Sequence, residues 1–149
     1  TVAFEDESQA VGGCANGDIR RWKIEGGRQQ GPTMQAAGLV YSIAVSQDGR
    51  WIMSGDDGKK AIVWNALTHE KVLHTEYEGL VMVVDISSDC TKFVTGGWSS
   101  NTVRIFDITS GIRLLPPFSL NHFRGVKFSP DGSRFATASY YDGVRIYST

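Results

Sequence analysis

The chain has 149 residues, of which 41% are hydrophobic and 21% charged, and its formal net charge is -1. A chain of that size and apolar content can bury a real core, which excludes a disordered polymer, and its near neutrality gives no electrostatic reason to collect nucleic acid or anionic membrane. Seventeen glycines against four prolines, with four tryptophans and seven phenylalanines, suit many short strands joined by tight turns better than a helical bundle.

In chain order, the first predicted unit opens with a strand at Val2-Ala3-Phe4 and a turn at Glu5-Asp6-Glu7-Ser8. A second strand follows from Gln9 to Gly13, then a run closing in an aromatic, Ile19-Arg20-Arg21-Trp22, and an outer strand at Thr33-Met34-Gln35. The second unit repeats this as Ile43-Ala44-Val45, Ser46-Gln47-Asp48-Gly49, Trp51 to Gly55, Ala61-Ile62-Val63-Trp64, and Lys71 to Thr75. The third runs through Val84-Asp85-Ile86, Ser87-Ser88-Asp89-Cys90, Phe93 to Gly97, Val103-Arg104-Ile105-Phe106, and Arg113 to Leu115. The fourth has Val126-Lys127-Phe128, Ser129-Pro130-Asp131-Gly132, Phe135 to Ser139 and Val144-Arg145-Ile146-Tyr147, with no outer strand.

Trp22, Trp64, Phe106 and Tyr147 are spaced 42, 42 and 41 residues apart, and Phe4, Val45, Ile86 and Phe128 are spaced 41, 41 and 42. Two series in one phase define an internal repeat. Asp-Gly and Pro-Asp-Gly mark hairpin tips, because Pro presets φ, Asp bonds its own backbone and Gly accepts a positive φ. A four-stranded unit of this size cannot bury its faces alone, so the natural packing is a stack of blades around an axis. The expectation is an all-β β-propeller of four-stranded antiparallel blades, at about 1–36, 37–77, 78–119 and 120–149.

These units resemble WD repeats, whose consensus combines a Ser-Pro-Asp-Gly turn, a Ser-Gly-Ser run, an Asp-centred turn and a strand closing in Trp-Asp. Ser129-Pro130-Asp131-Gly132 matches in full, Ser54-Gly55-Asp56-Asp57-Gly58 with Val63-Trp64 matches well, and Phe106-Asp107 stands where Trp-Asp is expected. The Gly-His dipeptide that usually precedes the innermost strand is missing from every repeat. The family's buried His-Ser/Thr-Asp-Trp network is therefore not assumed, and more weight falls on apolar packing. WD-type propellers close with more blades than four. The resemblance thus implies either a longer propeller or two copies of the chain meeting head-to-tail in an eight-bladed homodimer.

Little in the chain points to catalysis. His69 and His74 are five apart, not the four of a zinc-protease helix, so both are expected to be polar residues of an exposed outer strand. Gly58-Lys59 lacks the earlier glycine of a phosphate-binding loop, where Met53 stands. Glu5-Asp6-Glu7 and Asp56-Asp57 read as solvated turn caps rather than a calcium site. Arg20-Arg21 and Lys59-Lys60 are pairs, not a basic patch. Cys14 and Cys90 are too few for a disulfide scaffold and show no metal-ligand spacing. No catalytic residue, metal or cofactor is expected. With no apolar run approaching the ~18 residues of a spanning helix, the cytoplasm or nucleus is the expected location.

Trp22, Trp64, Phe106 and Tyr147 recur with the repeat and are expected in the core between blades. Trp98, Tyr140 and Tyr141 fall in turns, where the repeat gives them no packing role and where aromatic side chains serve as binding hot spots. By resemblance, WD propellers bind partners on the face that carries the loops entering the innermost strands and the loops joining the second and third strands. Carried over by position, that face holds Leu39, Glu78, Leu80 and His122 from the first set, and Ala15, Asp57, Trp98, Ser99, Tyr140 and Tyr141 from the second. The leading expectation is a non-catalytic scaffold for protein or peptide partners. A small-molecule or glycan-binding, lectin-like propeller is the alternative, and it would need matching loop residues in every repeat, whereas the four loops differ.

Overall fold

The computed structural model describes residues 1–149. It contains four antiparallel sheets whose spatial order follows the sequence. The first has β1 (Val2–Phe4), β2 (Gln9–Gly13), β3 (Asp18–Lys23) and β4 (Arg28–Gln35). The second has β5 (Val40–Val45), β6 (Trp51–Asp56), β7 (Lys60–Asn65) and β8 (Lys71–Glu76). The third has β9 (Val81–Ile86), β10 (Lys92–Gly97), β11 (Thr102–Asp107) and β12 (Phe118–Ser119). The fourth has only three strands, β13 (Phe123–Phe128), β14 (Arg134–Ser139) and β15 (Gly143–Ser148). The four innermost strands, β1, β5, β9 and β13, stand side by side about a common axis, which makes each sheet a propeller blade.

The hairpin tips form for the reason their sequences suggest. Ser46, Ser87 and Ser129 each donate their hydroxyl to the aspartate two residues on, all at 2.6 Å. The residue after that aspartate then takes the left-handed conformation, as Gly49 (φ 69°), Cys90 (φ 59°) and Gly132 (φ 69°). The serine and backbone hydrogen bonds hold Asp48 and Asp131 at pKa values of about 2, below the ordinary carboxylate range, although burial opposes the shift at both and heads the influences at Asp48.

Apolar residues point alternately to the two sides of each blade, so every interior blade buries both faces. Val11, Ile19 and Met34 of blade 1 meet Ile43, Ile52, Ile62 and Trp64 of blade 2. Met53, Ala61 and Val63 on the far side of blade 2 meet Val84, Ile86, Phe93 and Phe106 of blade 3, with the Phe93 and Phe106 rings stacked at 4.8 Å. Val94, Val103 and Ile105 then meet Phe123, Val126, Phe128 and Phe135 of blade 4. Full burial of such side chains is worth about 1.5–3 kcal/mol each, which makes these three interfaces the main source of cohesion.

Polar bonds also cross the interfaces. Ser42 Oγ accepts the Val84 N–H at 3.1 Å, and Asp85 accepts both the Phe128 N–H at 2.8 Å and Lys127 Nζ at 2.7 Å. Part of the hydrogen-bond network that the missing Gly-His put in doubt is present in altered form. Trp64 Nε1 donates to Ser54 Oγ at 3.0 Å, the buried Tyr77 hydroxyl bonds Thr95 Oγ1, and Thr137 at the same place in blade 4 has no partner.

Several expectations need correction. The outer strand of blade 3 is not Arg113 to Leu115. Arg113 makes one isolated bridge to Phe106, and the paired segment is Phe118–Ser119, because Pro116 and Pro117 lack the N–H that continued pairing would use. Trp22 is 36% exposed rather than core, since no blade lies against its side of blade 1. Glu5 is not a solvated cap but an ion-pair partner buried against Arg21, the two side chains 8% and 11% exposed. Asp56 is fully buried and accepts the Ala37 and Lys60 N–H groups, both at 3.0 Å, while burial pushes its carboxyl upward. His69 lies in the turn before β8, half-buried against Gly31 of blade 1, while His74 is exposed on β8 as expected.

Candidate loop-face interaction site

One end of the blade stack is built by the same contact in three blades. The turn between the second and third strands donates a backbone N–H to the loop entering the innermost strand: Asp57 to the Leu39 carbonyl, Trp98 to Leu80 and Tyr140 to His122, each at 3.0 Å. These bonds join the two sets of loop residues singled out in the sequence, pair by pair. Glu78 and Ser99 belong to the Trp98–Leu80 contact, where Gly79 is required because a Cβ there would stand 2.3 Å from that of Ser99. Ala15 occupies the corresponding turn of blade 1, beside Cys14, whose carbonyl accepts the Val40 N–H at 3.1 Å. Tyr141 follows Tyr140 in the blade 4 turn. Leu39, Leu80 and Trp98 are half-buried, and Ala15, Asp57, Glu78, Ser99, His122, Tyr140 and Tyr141 are exposed.

Asp56 braces the Asp57 turn from beneath through its two backbone bonds. Ser139 does similar work in blade 4, donating to the Asn121 carbonyl at 2.5 Å and accepting the Asp142 N–H at 3.1 Å. Asp142 in turn pairs with Arg145 at 2.9 Å. The turns are thus fixed from below while the side chains above them face solvent, an arrangement suited to presenting variable residues on a rigid support.

Three further residues of this face escaped the sequence reading. The innermost strands β5, β9 and β13 each carry an extra residue near their start, where the register shifts: Tyr41, Met82 and Arg124. A bulge of this kind re-aims the side chain of the inserted residue. Tyr41 and Arg124 are exposed and Met82 is half-buried. Nothing in the local sequence marks these positions, because a bulge depends on strand pairing, but their recurrence at one register in three blades is plain once the sheets are aligned.

Arg124 organises the side chains at the blade 3–4 seam. Its guanidinium lies over the Trp98 ring at 5.0 Å from the centroid and over Tyr140 at 5.9 Å. Tyr140 meets Tyr141 edge-to-face at 5.0 Å, and Tyr141 meets His122 in the same way at 4.9 Å. Five aromatic or cationic side chains from two blades therefore form one contiguous surface. The opposite end of the stack has a polar cleft of about 310 Å³ lined by Glu5, Ser46, Gln47, Asp85, Ser88 and Lys127, among others. Its principal charges are already matched, Glu5 to Arg21 and Asp85 to Lys127.

The family model for the WD domain, G-beta repeat, matches residues 29–65, 69–107 and 117–148. Each matched segment begins on or just before the outer strand of one blade and ends on the third strand of the next, so every repeat stitches two blades together. The serine-threonine kinase receptor-associated protein of Dictyostelium discoideum is 27% identical over 134 residues, which cover 87% of this chain and 43% of that protein. The crystal structure of the Myceliophteria thermophila Cps50 (Swd1) beta-propeller domain superposes with a TM-score of 0.85 at 14% identity, covering 99% of this chain and 51% of that one. The chain thus spans about half the length of each.

Proposed function

Because the chain belongs to the WD40 repeat family, its matched repeats covering most of the 149 residues, we propose that it is a non-catalytic scaffold that binds protein partners through the loop face. The observation that carries this reading is the contiguous Trp98–Arg124–Tyr140–Tyr141–His122 surface on a backbone frame repeated in three blades. Trp, Tyr and Arg are the residue types in which interface energy concentrates. In the described residues these groups neither fill a core nor converge as nucleophile, base and orienting group around a reacting atom. The two cysteines, Cys14 exposed and Cys90 buried, are both free, which fits a reducing compartment such as the cytoplasm.

The flanks of the end blades take further blades of the same kind, supplied by a second copy of the chain or by a longer polypeptide. Val144 (72% exposed) and Ile146 (67%) occupy the strand positions at which blade 3 buries Val103 and Ile105. On the other flank, Val2, Phe4 and Trp22 occupy the positions of Ile43, Val45 and Trp64 in blade 2. A light-scattering mass of twice the monomer, lost on Ile146→Glu, supports closure by a second copy. A stable monomer excludes it.

The function is tested by quantitative affinity capture from cell extract with the wild-type chain, a Trp98→Ala/Tyr140→Ala variant and a Gln47→Ala/Ser88→Ala variant altered at the opposite end. Partners retained by the wild type and the second variant but lost from the first are the expected result. Equal capture by all three overturns the assignment of this face.

A further inference from the structure

We infer that the Arg124 cluster is a receptor for an acidic side chain of a partner peptide, an aspartate or glutamate flanked by an aromatic or aliphatic residue. The inference rests on the loop face being the partner-binding surface. Arg124 is exposed and enters none of the ion pairs of the structure, whereas Arg145 in the same blade is neutralised by Asp142. The bulge at Phe123/Gly125 aims Arg124 out of the strand. The Trp98 and Tyr140 rings then hold its guanidinium in place. An arginine immobilised by rings but lacking a carboxylate keeps its planar fork of N–H donors free, and that fork matches a carboxylate in bidentate geometry.

The surroundings fix the rest of the ligand. Tyr140 and Tyr141 are 69% and 70% exposed and present aromatic surface beside the cation, so the acidic residue is read together with an apolar neighbour. Lys127 is committed to Asp85 at 2.7 Å and Arg145 to Asp142 at 2.9 Å. Within the cluster Arg124 is the one arginine or lysine, and a lone cation suits a monoanionic carboxylate, while a dianionic phosphate draws several. Recognition through one planar cation and stacked rings also resembles the way single-stranded nucleic acid is held, but following a phosphate backbone takes a run of cations, whereas the cluster carries Arg124 alone among arginines and lysines.

The test is selection of a randomised peptide display library on the full chain. Affinities of the enriched peptides are then measured for wild type and for Arg124→Gln, Arg124→Lys and Tyr140→Ala, each checked for an unchanged thermal midpoint. The expected consensus has Asp or Glu beside an aromatic or aliphatic residue, with binding weakened tenfold or more by Arg124→Gln and only partly restored by Arg124→Lys. Peptides that lose affinity with Tyr140→Ala but not with Arg124→Gln overturn the carboxylate receptor and leave the loop face standing. Peptides indifferent to all three variants, or no enrichment at all, count against both. Tenfold tighter binding when phosphoserine replaces the acidic residue, or saturable binding of an oligouridylate that requires Trp98, overturns the assignment in favour of phosphate or RNA.

Discussion

Arg21 on the third strand of blade 1 grips the Glu5 carboxylate with Nε at 3.0 Å and Nη2 at 2.7 Å, and its Nη1 reaches across the interface to the Ala66 carbonyl of blade 2 at 2.5 Å. The pair stands where the other blade interfaces are apolar, since Val63 and Ile105 hold the position of Arg21 in blades 2 and 3. Breaking a buried pair leaves an uncompensated charge, whereas replacing both partners with apolar residues is often neutral. Arg21→Met is expected to lower urea-unfolding stability by about 3 kcal/mol. The double variant Arg21→Met/Glu5→Leu should recover most of that loss, and a double-variant loss equal to the sum of the Arg21→Met and Glu5→Leu losses would show that the pair is not coupled.

The indole of Trp64 is buried and depends on Ser54 Oγ as its acceptor. Ser54→Ala orphans that N–H and is expected to cost about 1–3 kcal/mol. In the Trp64→Phe background the same serine change should cost clearly less, a difference that a double-mutant cycle by chemical unfolding reads directly.

Gly17, Lys59, Asn101 and Gly143 occupy the same place before the third strand of each blade, with φ values of 87°, 66°, 47° and 69°. A left-handed conformation strains a residue with a Cβ, and asparagine tolerates it best. Lys59→Gly is expected to raise stability by roughly 0.5–1 kcal/mol, with a smaller gain for Asn101→Gly. A fall in the thermal midpoint of Lys59→Gly would show that its side chain, not its backbone, matters there.

Burial, and after it the Arg21 charge, lowers the pKa of His69 from the ordinary value of 6.5. As pH falls, the unfolded chain binds the proton first, so the stability present above pH 6.5 declines as pH drops through that value and levels off below the folded pKa. His69→Gln should flatten the slope of urea-unfolding free energy between pH 7.5 and pH 5. An unchanged slope would remove His69 as its source.

The blade count, the hairpin tips and the three-stranded fourth blade were legible in the sequence because they follow from period and turn chemistry, both local signals. Pair partners were not. Glu5 and Asp56 read as ordinary turn acids, and only the approach of Arg21 and of the Ala37 backbone shows why each is buried. Trp22 was misplaced because periodicity reports a residue's direction but not whether a neighbouring blade covers it. The loop residues Trp98, Tyr140 and Tyr141 stood out by breaking the repeat, while Arg124 stayed hidden, since its role depends on a bulge that exists only once β13 and β14 pair.

Partner binding on the loop face would register in hydrogen–deuterium exchange of the chain with and without a captured partner. New protection is expected in segments 77–82, 98–101, 121–124 and 139–142, with segments 46–50, 87–91 and 129–133 at the opposite end unchanged. Protection confined to those opposite turns, or to the flanks carrying Trp22 and Ile146, would contradict it.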